Sequence, residues 1–117
     1  KFHDNVKISR IVLVSTSGWW EVGNFGTVVR IAEELAKDVG QELAASILRP
    51  HAFLMGENKK KAEKALKATK QAGYQLVKDG RITKETLETI SQPLVSEEDL
   101  RKWYNDKYMK AKNKAIP

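Results

Sequence analysis

The feature that most constrains the fold is an unbroken apolar run followed at once by a polar, glycine-containing loop. The run covers residues 11–14, and Ser, Thr and Gly make up residues 15–18. Such a run is typical of a strand covered on both faces, as in a parallel sheet. Helical periodicity then extends from Thr27 to Val39, so the order is strand, loop, helix. In open α/β sheets, ligands bind at loops of this kind, outside the carboxyl ends of the strands.

Periodicity and end signals predict the remaining elements. We predict strands over residues 7–15 and 41–48 and helices over residues 25–39, 58–79, 83–91 and 96–112. Two of the predicted helices have an apolar stripe on one side. In the first helix the stripe consists of Val28, Val29, Ala32, Leu35, Ala36 and Val39. In the helix over residues 58–79 it consists of Ala62, Ala65, Leu66, Thr69, Gly73, Leu76 and Val77. Gly40 and Gly80 are predicted helix stops, and Ser96 is a predicted N-cap. Strand, helix and strand in this order predict a βαβ unit.

Two strands are too few for a stable parallel sheet, because each buried strand needs neighbours. We therefore expect the missing neighbours to come from a partner chain, a swapped copy or an N-terminal half outside this sequence. The first residue is Lys1 rather than Met, which indicates a fragment, or a processed or trimmed product.

Length and composition bound the class of protein. The 117 residues are enough for one domain and too few for two. The absence of cysteine excludes disulfides, cysteine-ligated zinc and an iron–sulfur cluster bound by this segment. No apolar run approaches the roughly 20 residues of a membrane helix. We expect a cytoplasmic protein.

The net charge of +6 admits two interpretations. Most of the basic residues are lysines interleaved with Glu and Asp, which is typical of a solvated surface. The alternative is nucleic-acid binding, but the sequence contains no recognised nucleic-acid-binding motif. A nucleic-acid partner is therefore the less favoured of the two interpretations.

The loop after the first predicted strand carries the candidate site. Adjacent Trp19 and Trp20 suit a flat aromatic ligand, and Gly18 and Gly23 permit close approach of the backbone. The competing interpretation is that one tryptophan packs under the loop and the other covers a subunit contact. The loop lacks the lysine of a P-loop and a Gly-x-Gly-x-x-Gly fingerprint.

The two histidines, His3 and His51, lie far apart and have no carboxylate at metal-ligand spacing. We interpret both as structural or surface residues, and we predict no metal site.

Several segments together resemble a known family. Residues 14–25 read Val-Ser-Thr-Ser-Gly-Trp-Trp-Glu-Val-Gly-Asn-Phe, and residues 47–51 read Ile-Leu-Arg-Pro-His. Residues 72–87, residues 92–100 and Asn105 continue the likeness in order. The chain resembles the second half of flavodoxin-fold FMN reductases, a family that includes NADPH-dependent FMN reductase-like proteins and iron–sulfur flavoproteins.

The resemblance implies a fold and a site. The two predicted strands would be the fourth and fifth of a flavodoxin-like doubly wound parallel sheet with flanking helices and a C-terminal helical extension. Residues 1–117 would form the C-terminal portion of one such domain, with the βαβ unit and flavin-ring loop in residues 1–57 and a helical packing and oligomerisation region in residues 58–117. FMN would contact Ser15, Thr16, Ser17, Gly18, Trp19, Trp20, Gly23 and Asn24. The family's phosphate loop has no counterpart in this sequence.

Three functions remain open at this stage. The first is an FMN-binding oxidoreductase portion that carries electrons or hydride from NAD(P)H to a small acceptor, without a catalytic acid or base of its own and as a homo-oligomer. The second is a flavin-free half-domain that acts as an assembly or binding module. The third is a basic nucleic-acid binder.

Overall fold

The computed structural model describes residue 5 and residues 7–115, so His3 lies outside the described residues. The elements follow the chain as β1 (Ile11–Thr16), α1 (Gly26–Asp38), β2 (Leu43–Arg49), α2 (Lys59–Asp79), α3 (Lys84–Ser91) and α4 (Glu97–Ala115). Short 3₁₀ turns, Val22–Phe25 and Ala52–Gly56, precede α1 and α2. No helix in these described ranges is long and apolar enough to cross a bilayer.

The sheet consists of β1 and β2 in parallel, with α1 as the connection between them. Val12 lies opposite Ala45, and Val14 lies opposite Ile47. The predicted α/β class and the βαβ unit are thereby confirmed for the described part of the chain. The predicted start of β1 at residue 7 is wrong, because Ile11 is the first residue that has a partner on β2.

The helix ends follow the predicted signals closely. The Asn58 side chain accepts a hydrogen bond from the backbone N–H of Lys61, and the Thr83 side chain accepts one from the backbone N–H of Thr86. Each of these bonds caps the first turn of a helix. Ser96 Oγ accepts the N–H of Asp99 at 3.1 Å in the same way. Gly80 ends α2 with a φ of 72°, which glycine adopts without strain.

The core consists of two clusters. The sheet cluster joins the strands to α2 and α3 through Ile47, Ala72 and Ile90, with Val12, Ala68, Ile82 and Leu87 packed against it. The C-terminal cluster consists of Leu54, Leu94 and Leu100, with Trp20, Met55 and Val95 packed against it. Helix α1 contributes no residue to either cluster. It contacts both strands, on the face of the sheet opposite α2 and α3, and its residues Ala32 and Ala36 are buried.

Several predicted core residues are exposed instead. Val14 is 67% exposed, which contradicts the expectation that both faces of residues 11–14 are covered. Leu35 on α1 and Leu66 and Val77 on α2 are also exposed. The physical reason is the width of the sheet: two strands support only part of each helix, and small residues such as Ala36 and Ala72 make the close contacts.

Helix α4 extends beyond the core. Leu100 is buried and Trp103 is partly buried, but Tyr104, Tyr108 and Met109 are exposed. The described chain measures 67 × 30 × 21 Å along its principal axes. An α-helix rises about 1.5 Å per residue, so the 19 residues of α4 span about 28 Å.

Candidate functional site

Backbone hydrogen bonds fix the loop that follows β1. The N–H of Ser17 donates to the Arg49 carbonyl, and the N–H of Ala52 donates to the Ser17 carbonyl, both at 3.1 Å. The N–H of His51 donates to the Trp19 carbonyl at 3.1 Å. These bonds continue the pairing of β1 and β2 beyond the strand ends. Residues 17–20 and 49–52 therefore form one unit, which we call the strand-end platform.

The two tryptophans of the platform have different environments. Trp20 packs against the C-terminal cluster, and its ring centroid lies 5.2 Å from that of His51. Trp19 is 64% exposed, and its backbone N–H donates a hydrogen bond to Ser17 Oγ at 2.8 Å. Trp20 thus has a packing role, whereas the Trp19 side chain is accessible to a ligand or a partner.

The other predicted site residues fall into two groups. Ser15 and Thr16 end β1, and Gly18 lies on the platform beside Ser17. Gly23 and Asn24 lie in the 3₁₀ turn, where the Asn24 N–H donates to the Glu21 carbonyl. The structure thus brings residues 15–19 together and places Gly23 and Asn24 at the entrance to α1.

Both glycines of the loop have open space around them. A Cβ atom added at Gly18 or Gly23 would meet no atom within 4 Å. Neither position is constrained by packing within the chain. The space beside the backbone is therefore available to a bound molecule.

Arg49 is a structural residue that the sequence-based site did not include. Its guanidinium is buried and donates to the carbonyls of Pro50, Ile90 and Gln92, the last at 2.8 Å. Burial lowers the pKa of Arg49 from its ordinary value. The sequence signal for this structural role is the position of the arginine, at the end of an apolar strand and directly before a proline. It ties the platform to the segment between α3 and α4.

His51 shapes the end of the platform. Its backbone has a φ of 49°, in the left-handed region that is uncommon for residues other than glycine. Its side chain is 5% exposed and lies between the rings of Trp20 and Phe53. Burial lowers the pKa of His51, and the nearby charge of Arg49 lowers it further. The neutral imidazole is therefore favoured.

A row of aromatic rings connects the platform to α4. The centroid distances are 5.2 Å from Trp20 to His51, 5.5 Å from His51 to Phe53, 6.2 Å from Phe53 to Trp103 and 4.9 Å from Trp103 to Tyr104. Pairs at 4.5–7 Å contribute stability beyond the area they bury. The row therefore couples the position of the loop to that of the last helix.

A cavity lies next to this row, between the second 3₁₀ turn and α4. It has a volume of about 230 Å³, and its lining consists of Leu54, Glu57, Val95, Asp99, Leu100 and Trp103. Sites for drug-sized ligands typically enclose about 300–1,000 Å³. This cavity is therefore too small for a flavin.

Comparisons of the chain with protein-family models, with curated proteins and with solved structures found no match.

Proposed function

We propose that the strand-end platform binds the isoalloxazine ring of FMN. The chain would then be the flavin-ring-binding portion of an oxidoreductase that transfers electrons or hydride from NAD(P)H to a small acceptor. The observation that carries the proposal is the exposed Trp19 at the carboxyl end of a parallel strand, beside two unobstructed glycines. The resemblance of residues 14–25 and 47–51 to flavodoxin-fold FMN reductases supports the same assignment.

The platform offers a flat ligand two kinds of contact. The indole of Trp19 provides an aromatic face, and stacked or edge-on aromatic pairs contribute about 0.5–1.5 kcal/mol beyond area burial. Within the described residues, the N–H groups of Gly18 and Trp20 have no hydrogen-bond acceptor. Backbone N–H groups of this kind bond ring oxygens and nitrogens. FMN would supply the redox chemistry, and the chain would bind and orient its ring.

An assembly module that binds no flavin is the second candidate. The observation that favours it is the exposure of apolar side chains on β1 and α1, because exposed apolar patches mark interaction sites. The two candidates differ in one measurable property, which is the binding of FMN by the wild-type chain.

FMN titration followed by flavin fluorescence and visible absorbance tests the proposal. Trp19→Ala should weaken FMN binding by about tenfold, because it removes the stacking face. Tyr74→Ala is the matched control, since Tyr74 is 59% exposed on α2, away from the platform. It should leave the affinity and the spectrum unchanged.

Trp20→Ala separates packing from ligand contact. We expect this variant to lower the free energy of unfolding, because Trp20 supports the C-terminal cluster. Equal FMN affinity in the wild type and Trp19→Ala would show that the platform is not the flavin site. Failure of the wild-type chain to bind FMN would favour the assembly module.

A further inference from the structure

Helix α2 holds most of the net positive charge of the chain. It contains seven lysines and two acidic residues, Glu63 and Asp79, so its net charge is +5, against +6 for the whole chain. All seven lysines are exposed. The ion pairs found among the described residues lie on α1, α3 and α4, so none of them neutralises a lysine of α2. The helix therefore presents a concentrated positive charge to its surroundings.

Apolar side chains lie among these lysines. Leu66, Lys70 and Val77 follow one another at spacings of four and seven residues, so they lie on one line along the helix. Leu66 is 60% exposed and Val77 is 89% exposed. Tyr74 is also exposed, and its ring centroid lies 5.6 Å from Lys78 Nζ. The exposed side of α2 thus combines positive charge with accessible apolar surface.

The first half of α2 borders a depression in the protein surface. The depression has a volume of about 650 Å³, and its lining includes Lys60, Lys61, Lys64, Lys67 and the acidic Glu63. Lys61 Nζ donates to the Pro93 carbonyl at 3.1 Å, which fixes the position of this lysine. Four ammonium groups against one carboxylate favour an anionic group such as a phosphate.

We propose that the exposed side of α2 binds the surface of a membrane that contains anionic phospholipid. Clusters of about four to eight lysines or arginines on an amphipathic helix are typical of attachment to anionic headgroups, and each contributes about fivefold in affinity. Leu66 and Val77 enter the boundary between the headgroups and the acyl chains. This peripheral attachment goes beyond the proposed function and requires no flavin.

Three features of α2 favour a lipid surface over a nucleic acid. A phosphate backbone offers no apolar partner for Leu66 and Val77, whereas the boundary between headgroups and acyl chains does. The basic residues of α2 are all lysines, which act as point charges, whereas arginine is the residue that binds individual phosphates in a two-point fashion. The 21 residues of the helix span about 32 Å, so the lysines are distributed over a length that suits an extended surface.

Flotation of the full chain with phospholipid vesicles tests the proposal, because bound protein rises with the lipid and aggregated protein does not. The chain should bind vesicles of phosphatidylcholine with about 30% phosphatidylserine, and it should not bind vesicles of phosphatidylcholine alone. Lys60→Gln together with Lys67→Gln should lower the binding constant about thirtyfold, since two charges are lost. The matched control is Lys110→Gln together with Lys112→Gln, which removes the same charge from α4. It should change the binding constant by less than about twofold, because distant charges are screened.

Val77→Ser tests the apolar contribution at constant charge. Since Val77 is almost fully exposed, the substitution leaves the core intact. It should weaken vesicle binding about threefold to tenfold, because less apolar surface enters the bilayer boundary. Leu35→Ser is the matched control, since Leu35 is 58% exposed on α1, on the other face of the sheet. It should leave the vesicle affinity unchanged. Circular dichroism of each variant establishes that it is folded.

Four results would overturn the proposal. The first is equal binding, or no binding, to vesicles with and without phosphatidylserine. The second is an equal loss of affinity in the two double-lysine variants. The third is an unchanged vesicle affinity in Val77→Ser. The fourth is binding of duplex DNA without binding to the vesicles, which would assign the lysines to a nucleic acid. None of these results depends on FMN binding, so the membrane surface and the flavin site fail independently.

Discussion

At the residue scale, Arg49 shows how a buried charge can be satisfied without an ion pair. Its guanidinium donates to three carbonyl oxygens, on Pro50, Ile90 and Gln92. Hydrogen bonds to a charged group each contribute about 1.5–3 kcal/mol, whereas an unpaired buried charge is strongly destabilising. Arg49 therefore holds the end of β2 to the segment after α3. The position of the platform depends on that connection.

His51 predicts a pH dependence of stability. Its pKa is lower in the folded protein than the ordinary value of about 6.5, so the unfolded chain binds more protons near that value. The free energy of unfolding should consequently fall as the pH falls through about 6.5, by no more than about 1.4 kcal/mol per pH unit. His51→Asn should reduce this slope, since asparagine tolerates the left-handed backbone.

Urea unfolding between pH 5.5 and 7.5 measures the slope. The control is Val77→Asn, which changes a side chain that is 89% exposed on α2 and removes no titratable group. This variant should keep the wild-type slope. An unchanged slope in His51→Asn would contradict a neutral, buried imidazole at this position.

At the element scale, local chemistry made the helices predictable. Asn58, Thr83 and Ser96 satisfy backbone N–H groups at the starts of α2, α3 and α4, and Gly80 ends α2. These signals act over a few residues, so the sequence alone locates them. The parallel pairing of β1 with β2 was predictable for a similar reason, because a helix of suitable length separates two apolar runs.

Tertiary contacts made other features unpredictable. An apolar stripe shows that a helix has a buried face, but it does not show how wide the supporting sheet is. Leu35, Leu66 and Val77 are exposed for that reason. Two of the three carbonyl partners of Arg49, Ile90 and Gln92, are 41 and 43 residues away, and no local pattern encodes them. The different environments of Trp19 and Trp20 likewise depend on the distant Leu94 and Leu100.

Helix α4 carries a prediction about its exposed second half. The sequence predicts that residues 96–112 make a subunit contact or pack on a missing half of the domain, and Tyr108 and Met109 are exposed. A chain that ends at Lys107 keeps the contact of that lysine with the Trp103 ring, at 4.3 Å. Its free energy of unfolding should change by less than about 1 kcal/mol, because surface changes away from packed features have small effects.

Thermal unfolding and sedimentation of the shortened chain check this prediction. The comparison is a chain that ends at Val95, which also loses Leu100 and Trp103 and should be clearly less stable. A lower oligomeric state in the chain that ends at Lys107 would place a subunit contact on the second half of α4.

At the scale of the whole molecule, the narrow sheet links folding to association. Parallel sheets are normally covered on both faces, and two strands alone are marginally stable. Here the sheet cluster buries Ile47, Ala72 and Ile90 on one face, while Val14 and Leu35 are left in water. Burial of one such side chain contributes about 1.5–3 kcal/mol. Full burial of Val14 and Leu35 would thus contribute about 3–6 kcal/mol, which is comparable to the typical net stability of a domain, about 5–15 kcal/mol.

The last prediction is that the melting temperature depends on protein concentration. If the folded state is a dimer, a tenfold rise in concentration stabilises it by about 1.4 kcal/mol per dimer, or about 0.7 kcal/mol per chain. For a domain of this size, that corresponds to a rise of about 3–5 °C. Differential scanning fluorimetry over a hundredfold concentration range measures the slope. The contradicting result is a folded monomer that unfolds cooperatively at the same temperature over the whole range. That result would show that two strands and four helices are sufficient for a stable fold without a partner.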